Sequence, residues 1–315
     1  MSGEAAYDEF GLFHENISEF ALTVAEVPTV ERVDTVVADD GDGPRTVSAL
    51  RWGDTTPELV LVHGGAQNAH TWDTVALCLG RPTLAVDLPG HGHSGWRSDG
   101  AYSPMNMADD LAVVVSELAP KARVVVGMSL GGMTAMELAV RHPALVASLV
   151  MVDITPGVNA AKTKAVTDFV DGPQSFASFD DLLARTMEFN PTRSEPSLRR
   201  GILHNARQLP DGSWVWRYDR GSRARSSAEA DAAAADATIA DDQLSPMWDH
   251  FEAIRCPMML VRGSLSPVVD DDDVAEARRR QPDLVVEVVD GAGHSVQGDR
   301  PVELGRLLDE WMMSG

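Results

Sequence analysis

The sequence predicts an α/β fold: a mostly parallel central sheet flanked by helices, with an inserted helical cap. Three observations carry this. Short apolar runs recur at Leu59–Val62, Thr83–Val86, Val124–Val126 and Leu149–Val152, with helical-looking segments between them. Strands that are apolar on both faces belong to a parallel sheet covered by helices on both sides. The pattern stops after Thr155 and resumes at Met258–Val261 and Leu284–Val289, so the core is discontinuous around an insertion. The composition allows a core of this size, since 315 residues at 44% hydrophobic and 23% charged are ordinary globular values.

Taken in order, residues 1–30 read as an N-terminal leader. Thr35–Ala38 and Val47–Trp52 read as antiparallel strands joined by the Asp- and Gly-rich Asp39–Pro44 turn. Met105–Leu118 reads as a helix closed by Pro120, and Met133–Arg141 as one ended by Pro143. The core is assigned to 31–154 and 252–315, and the cap to 155–251. Within the cap, Phe176–Phe189 carries helical fragments and Trp214-Val215-Trp216 is a short aromatic patch. Ser226–Asp242 is almost entirely Ala, Asp and Glu, which fits a surface helix or a loop better than a binding site. An amphipathic helix from Val302 to about Trp311 closes the chain. The insertion is expected over the C-terminal ends of the strands, where open α/β sheets bind their ligands.

Charge and cysteine content narrow the function classes. A net charge of −22 disfavours nucleic acid and anionic membrane surfaces as partners. Cys78 and Cys256 fit no metal or redox spacing and read as small buried hydrophobes without a disulfide. Glu4, Asp8 and Glu9 interrupt the N-terminus, which therefore does not read as a secretory signal, and no apolar stretch is long enough for a membrane span. The expectation is a cytoplasmic protein acting on a small molecule. Self-association into a homo-oligomer is left open.

The chemistry begins at Gly127-Met128-Ser129-Leu130-Gly131, between an apolar strand and a helical segment. A serine on so tight a turn projects its hydroxyl into a cleft and leaves the next backbone N–H, that of Leu130, free to meet an oxyanion. The flanking glycines remove side chains that would collide with the strand and helix. A serine hydroxyl needs a base. His294, in Gly291-Ala292-Gly293-His294, directly follows the last predicted strand, and a loop there delivers an imidazole to the same end of the sheet.

With these motifs the chain resembles the α/β-hydrolase superfamily with a helical cap, in its serine-hydrolase, esterase-like branch. The resemblance rests on His63-Gly64-Gly65 after the third strand and on Asp87-Leu88-Pro89-Gly90-His91-Gly92-His93-Ser94 after the fourth. The Ser129 elbow and Gly293-His294 complete it, over roughly residues 33–315. It implies an α/β-hydrolase fold and an oxyanion hole from the backbone N–H groups of Leu130 and Gly65, with Ala66 as the alternative to Gly65. His63 is expected to anchor its loop, and Gly90–Ser94 to form a structural turn at the cleft wall.

The acid departs from the commonest family pattern. Many relatives place an aspartate three residues beyond a glycine after the penultimate strand, and that position here is Ser266, in Arg262-Gly263-Ser264-Leu265-Ser266-Pro267. A hydroxyl cannot balance imidazolium charge. Some relatives carry the acid one strand earlier, in a segment like Val152-Asp153-Ile154-Thr155-Pro156, so Asp153 is the expected acid. An aspartate before Thr-Pro is also a good turn former. Asp270 to Asp273 are alternatives that look like the start of a helix. Cap aromatics and Met (Phe169, Phe176, Phe179, Met187, Phe189, Trp214, Trp216) supply apolar surface, of which two or three residues face the ligand. His204 and Arg207 are polar candidates, and Trp72 and Trp96 either reach the pocket or pack the core. No metal-ligand spacing or phosphate loop occurs, so no cofactor is expected.

The reading is a serine hydrolase of carboxylic esters with small or medium acyl groups, using Ser129, His294 and Asp153 through an acyl-enzyme. The serine argues against the haloalkane dehalogenase and epoxide hydrolase branches, which use aspartate there. Three rivals share the fold: a carbon–carbon hydrolase of ring-cleavage products, a cofactor-independent dioxygenase, and a non-catalytic ligand-binding protein. Turnover of a vinylogous diketone, oxygen uptake, or ligand binding without turnover would identify each.

Overall fold

In chain order the strands are β1 (Val30–Val37), β2 (Arg45–Trp52), β3 (Leu59–Val62), β4 (Thr83–Val86), β5 (Val124–Met128) and β6 (Leu149–Val152). Three short ones follow, β7 (Ser175–Phe176), β8 (Ala206–Gln208) and β9 (Trp214–Trp216), and then β10 (Met258–Gly263) and β11 (Val285–Val289). The computed structural model describes residues 7–38, 43–220, 245 and 247–314. Residues 39–42 of the expected turn and the whole Ser226–Asp242 run lie outside the described residues, as do the first six residues of the leader.

Eight strands form one sheet in the order β1-β2-β4-β3-β5-β6-β10-β11. β1 and β2 are antiparallel, with Val30 opposite Trp52 and Val37 opposite Arg45. β2 meets β4 antiparallel, and every later pairing is parallel. The uninterrupted apolar runs have a simple cause. Val60, Val62, Val125, Leu149 and Met151 face one core, while Leu59, Leu61, Val124, Val126, Val150 and Val152 face the other. Alternation along each strand therefore feeds two buried layers, so every position must be apolar.

One layer is closed by α2 (Asp73–Leu79) and the C-terminal helix Pro301–Ser314, through Val75, Leu304 and Leu308. The other is closed by α3 (Pro104–Leu118), α4 (Leu130–Arg141) and the helix Met247–Ala253. α3 begins where Ser103 caps it, accepting from Asn106 N–H, with Pro104 at the first position. Among the described residues no helix is long and apolar enough to cross a membrane.

The leader carries a helix, α1 (Phe13–Glu19), that the sequence pattern did not announce. Phe13 is buried with its ring 4.9 Å from that of Trp52, and Asn16 donates to Thr74 on α2. On its far side Glu19 pairs with Arg200 and accepts from Ser194, so the segment bridges the sheet layer and the insertion. Phe13→Ala is expected to lower unfolding stability by about 3 kcal/mol, the order for deleting a buried phenylalanine, measured as a shift in the urea midpoint at unchanged slope.

Between β6 and β10 lie α5 (Ala160–Val170), α6 (Phe179–Phe189) and α7 (Glu195–Asn205). They have an apolar cluster of their own around Leu182, Ile202 and Trp216. The sequence suggested helices alone here, yet β7, β9 and β8 form a three-stranded antiparallel sheet. Strands of two or three residues are too short to show alternation, and the Trp214–Trp216 patch is one of them. α6 starts at Phe179, because Ser178 accepts from Asp181 N–H and caps it.

Candidate active site

Ser129 sits at the junction of β5 and α4 with φ 50° and ψ −119°, a conformation that is strained for any residue with a side chain. Its neighbours explain how the turn is tolerated. A Cβ on Gly127 would lie 2.3 Å from Gly131 O, and one on Gly131 would lie 2.4 Å from the carbonyl oxygens of Val62 and His63. Only glycine lets strand, helix and the adjacent loop pass this closely.

Three side chains from three strand ends meet here. His294 Nε2 is 3.1 Å from Ser129 Oγ, and His294 Nδ1 is 2.7 Å from Asp153 Oδ2. Asp153 is fully buried at the end of β6, also at positive φ (52°), while the His294 side chain keeps 15% of its surface exposed. The His294 loop after β11 is fixed by Asp299, whose Oδ2 accepts from Gly293 N–H at 2.7 Å and from Thr192 Oγ1 at 2.9 Å. A carboxylate can only accept, so Nδ1 carries the proton and Nε2 is left to accept from the Ser129 hydroxyl. A line in this order can pass a proton from a serine to an imidazole and set the resulting imidazolium against a buried carboxylate.

Two backbone donors border the serine. Leu130 opens α4, where first-turn N–H groups have no partner within the helix. Gly65 lies alongside it, since a Cβ there would be 3.7 Å from Leu130 Cδ2. Ala66 N–H, the other candidate from this loop, is engaged by His91 Nε2 at 3.1 Å. His63 is a fully buried brace: its Nε2 accepts from Leu88 N–H at 2.9 Å and its Nδ1 donates to Gly64 O at 2.7 Å. Burial, with His91 alongside, pushes its pKa down to about 3, so it is neutral, with both ring nitrogens committed to the backbone.

The cleft has two lobes that share Ser129. One, of about 310 Å³, is bounded by His294, Leu265, Val268, Phe169, Phe189 and Lys162. The other, of about 630 Å³, is bounded by Leu130, Met133, Ile154, Val158, Tyr102 and Tyr218. Of the apolar residues of the insertion expected at the ligand, Phe169 and Phe189 reach the cleft, whereas Phe176, Phe179, Met187, Trp214 and Trp216 line neither lobe. Trp72 is buried core and Trp96 is 57% exposed. Arg207 is exposed, and His204 is buried against His70 away from the serine. Asp270 caps the helix Asp271–Arg280 in a reciprocal box with Asp273, and both carboxylates bind Lys162. Sequence reasoning missed Gln67, Tyr102, Lys162, Tyr218 and the Asp299 brace. Gln67 and Asp299 lie just beyond the His63 and His294 motifs, while the segments of Tyr102, Lys162 and Tyr218 carry no motif and meet the serine only through the fold.

His70, Asp73 and His204 form the group with metal-ligand chemistry among the described residues. Their geometry suits stacking instead. The two rings lie 9° from parallel with centroids 3.8 Å apart, so an ion about 2.0 Å from a nitrogen in one ring plane stands well outside the other. Burial opposes a charged His70, but Asp73 on Nδ1 and Glu9 on Nε2 outweigh it and raise its pKa to about 9. The folded value lies above the unfolded one near 6.5. The contribution is therefore complete below that pH and is lost as pH rises through about 9. The extra stability of wild type over His70→Asn is expected to shrink by about 3 kcal/mol between pH 6 and pH 9 in urea unfolding.

Comparison with known proteins places the chain. A family profile described as alpha/beta hydrolase fold matches residues 57–301. The chain is 44% identical over 308 residues to the esterase Rv0045c of Mycobacterium tuberculosis, covering 96% of this chain and 94% of that one. A crystal structure of that esterase superposes with a TM-score of 0.80 at 42% identity, over 98% of this chain and 99% of the other. A mouse sn-1-specific diacylglycerol lipase, ABHD11, is 27% identical over 82% of this chain and 81% of its own length. The crystal structure of E-2-(acetamidomethylene)succinate hydrolase, at 24% identity and a TM-score of 0.74 over 90% of this chain and all of that one, shares the fold. The chain belongs to the α/β-hydrolase fold family.

Proposed function

We propose that this protein is a carboxylic ester hydrolase in which Ser129, His294 and Asp153 act as nucleophile, base and acid. The observation that carries the reading is the hydrogen-bonded line from Ser129 Oγ through His294 to buried Asp153. The esterase relative, matched along nearly its whole length, supports the choice of substrate.

His294 Nε2 takes the hydroxyl proton as Ser129 Oγ attacks the ester carbonyl. Leu130 and Gly65 N–H groups receive the oxyanion, and each such donor is worth about 3–4 kcal/mol in the transition state. His294 then passes its proton to the departing alkoxide oxygen, leaving an acyl group on Ser129. A water deprotonated by His294 attacks the acyl carbonyl, and collapse returns the proton to Ser129 as the acid leaves. No step calls for a metal or cofactor. The apolar lobe beside Met133, Ile154 and Val158 suits a small or medium acyl chain.

We further assign 1–29 as the leader and 30–154 and 247–315 as the core, with the cap between them; the cap ends before Met247 rather than at 251, because the helix Met247–Ala253 buries Trp248 and Phe251 in the core layer. A cytoplasmic site of action is supported by two unpaired cysteines, Cys78 and Cys256. The test is hydrolysis of p-nitrophenyl acetate, butyrate and octanoate. Turnover blocked by a fluorophosphonate is expected, and an enzyme inert to all three esters would overturn the reading.

A further inference from the structure

We infer that Ser266, which stands where relatives commonly carry the acid, is a positioning residue that keeps Asp153 aimed at His294. The inference rests on the triad reading above. Asp153 Oδ1 accepts from Gly263 N–H at 2.9 Å. Its Oδ2 accepts twice, from His294 Nδ1 at 2.7 Å and from Ser266 Oγ at 2.5 Å. Ser266 has a single hydroxyl proton, and its oxygen already accepts from Val268 N–H at 3.1 Å. The proton is thereby aimed at Asp153, and the loop that holds it is tied back by Ser266 N–H on Gly263 O.

Two consequences follow. With donors on both oxygens the carboxylate cannot rotate about its Cβ–Cγ bond without breaking a buried hydrogen bond, so Oδ2 stays directed at His294. The same hold fixes the imidazole through its Nδ1–H, so that Nε2 stays turned to Ser129 Oγ. Asp153 supplies the charge, and Ser266 supplies aim and restraint.

The test compares kcat and KM for p-nitrophenyl butyrate at pH 8 in wild type, Ser266→Ala, Ser266→Thr and Ser129→Ala, with thermal unfolding and the NMR resonance of the His294 Nδ1 proton in each. In Ser266→Ala kcat is expected to fall about tenfold with KM within about twofold. The Nδ1 proton resonance should broaden or move, because the carboxylate it meets is no longer held. Ser266→Thr, which keeps the hydroxyl, should restore both. A Ser266→Ala enzyme with unchanged kcat and an unmoved resonance overturns the inference. So does a loss of kcat that leaves the resonance in place and that threonine does not restore, since that is the signature of packing alone. In either case abolished turnover in Ser129→Ala leaves the triad reading standing, whereas retained turnover there removes that reading itself.

Discussion

Ser129→Ala is expected to lower kcat for p-nitrophenyl butyrate by at least about 10⁴-fold while leaving the fold intact. The size follows from the single contact that His294 Nε2 makes with Ser129 Oγ. Without that oxygen there is no acyl-enzyme, and the base faces a methyl group. What survives is binding plus the Leu130 and Gly65 N–H groups, which polarise a carbonyl without supplying a nucleophile. Stability should barely change, because alanine inherits the same φ of 50° at the elbow and gives up only a half-buried hydroxyl. Steady-state rates, thermal unfolding and intact mass after fluorophosphonate treatment check this together. Wild type should gain one adduct and the variant none. A variant that keeps more than a few per cent of wild-type kcat would show that another group attacks the ester.

How much of this could be read beforehand varied with the physical signal. Leu59–Val62, Thr83–Val86 and Leu149–Val152 were legible to the residue, because burial on both faces makes the whole run apolar. Ser129 and His294 were legible because glycine spacing and position after a strand are local features with one geometric meaning. β1 begins at Val30 rather than Thr35, since exposed Glu31 and half-buried Arg32 break the apolar pattern. The helix at Phe13 and the small sheet through Trp214 were not legible. Phe13 is held by Trp52 and Glu19 by Arg200, partners far away in sequence. The choice of Phe169 and Phe189 over Trp214 and Trp216 as cleft residues is likewise set by how helices α5 and α6 seat on the sheet. Ser266 is intermediate. Its position marked it as unusual, but only the contact with Asp153 gives it a task.

Asp153→Asn is expected to lower kcat by about 10⁴-fold with little change in KM, and the surrounding hydrogen bonds say why. Gly263 N–H points at Oδ1 and can only donate, so the amide oxygen of an asparagine must take that place. The amide nitrogen then falls where Oδ2 was, facing His294 Nδ1 and Ser266 Oγ. An NH₂ group donates, so Nδ1 must become the acceptor and the imidazole proton moves to Nε2. There it points at Ser129 Oγ and blocks the one transfer the site requires. The loss therefore combines a missing charge with the wrong tautomer, although the carbon skeleton is unchanged. The ¹⁵N shifts of the neutral His294 ring separate wild type, protonated at Nδ1, from the variant, protonated at Nε2. Retention of the Nδ1 proton in the variant, or a kcat within tenfold of wild type, would remove Asp153 from the role of acid. The fully buried position of this carboxylate, at the end of β6 with φ 52°, would then need another explanation. A group so placed loses its hydration, and here every replacement contact leads to Gly263, Ser266 or His294.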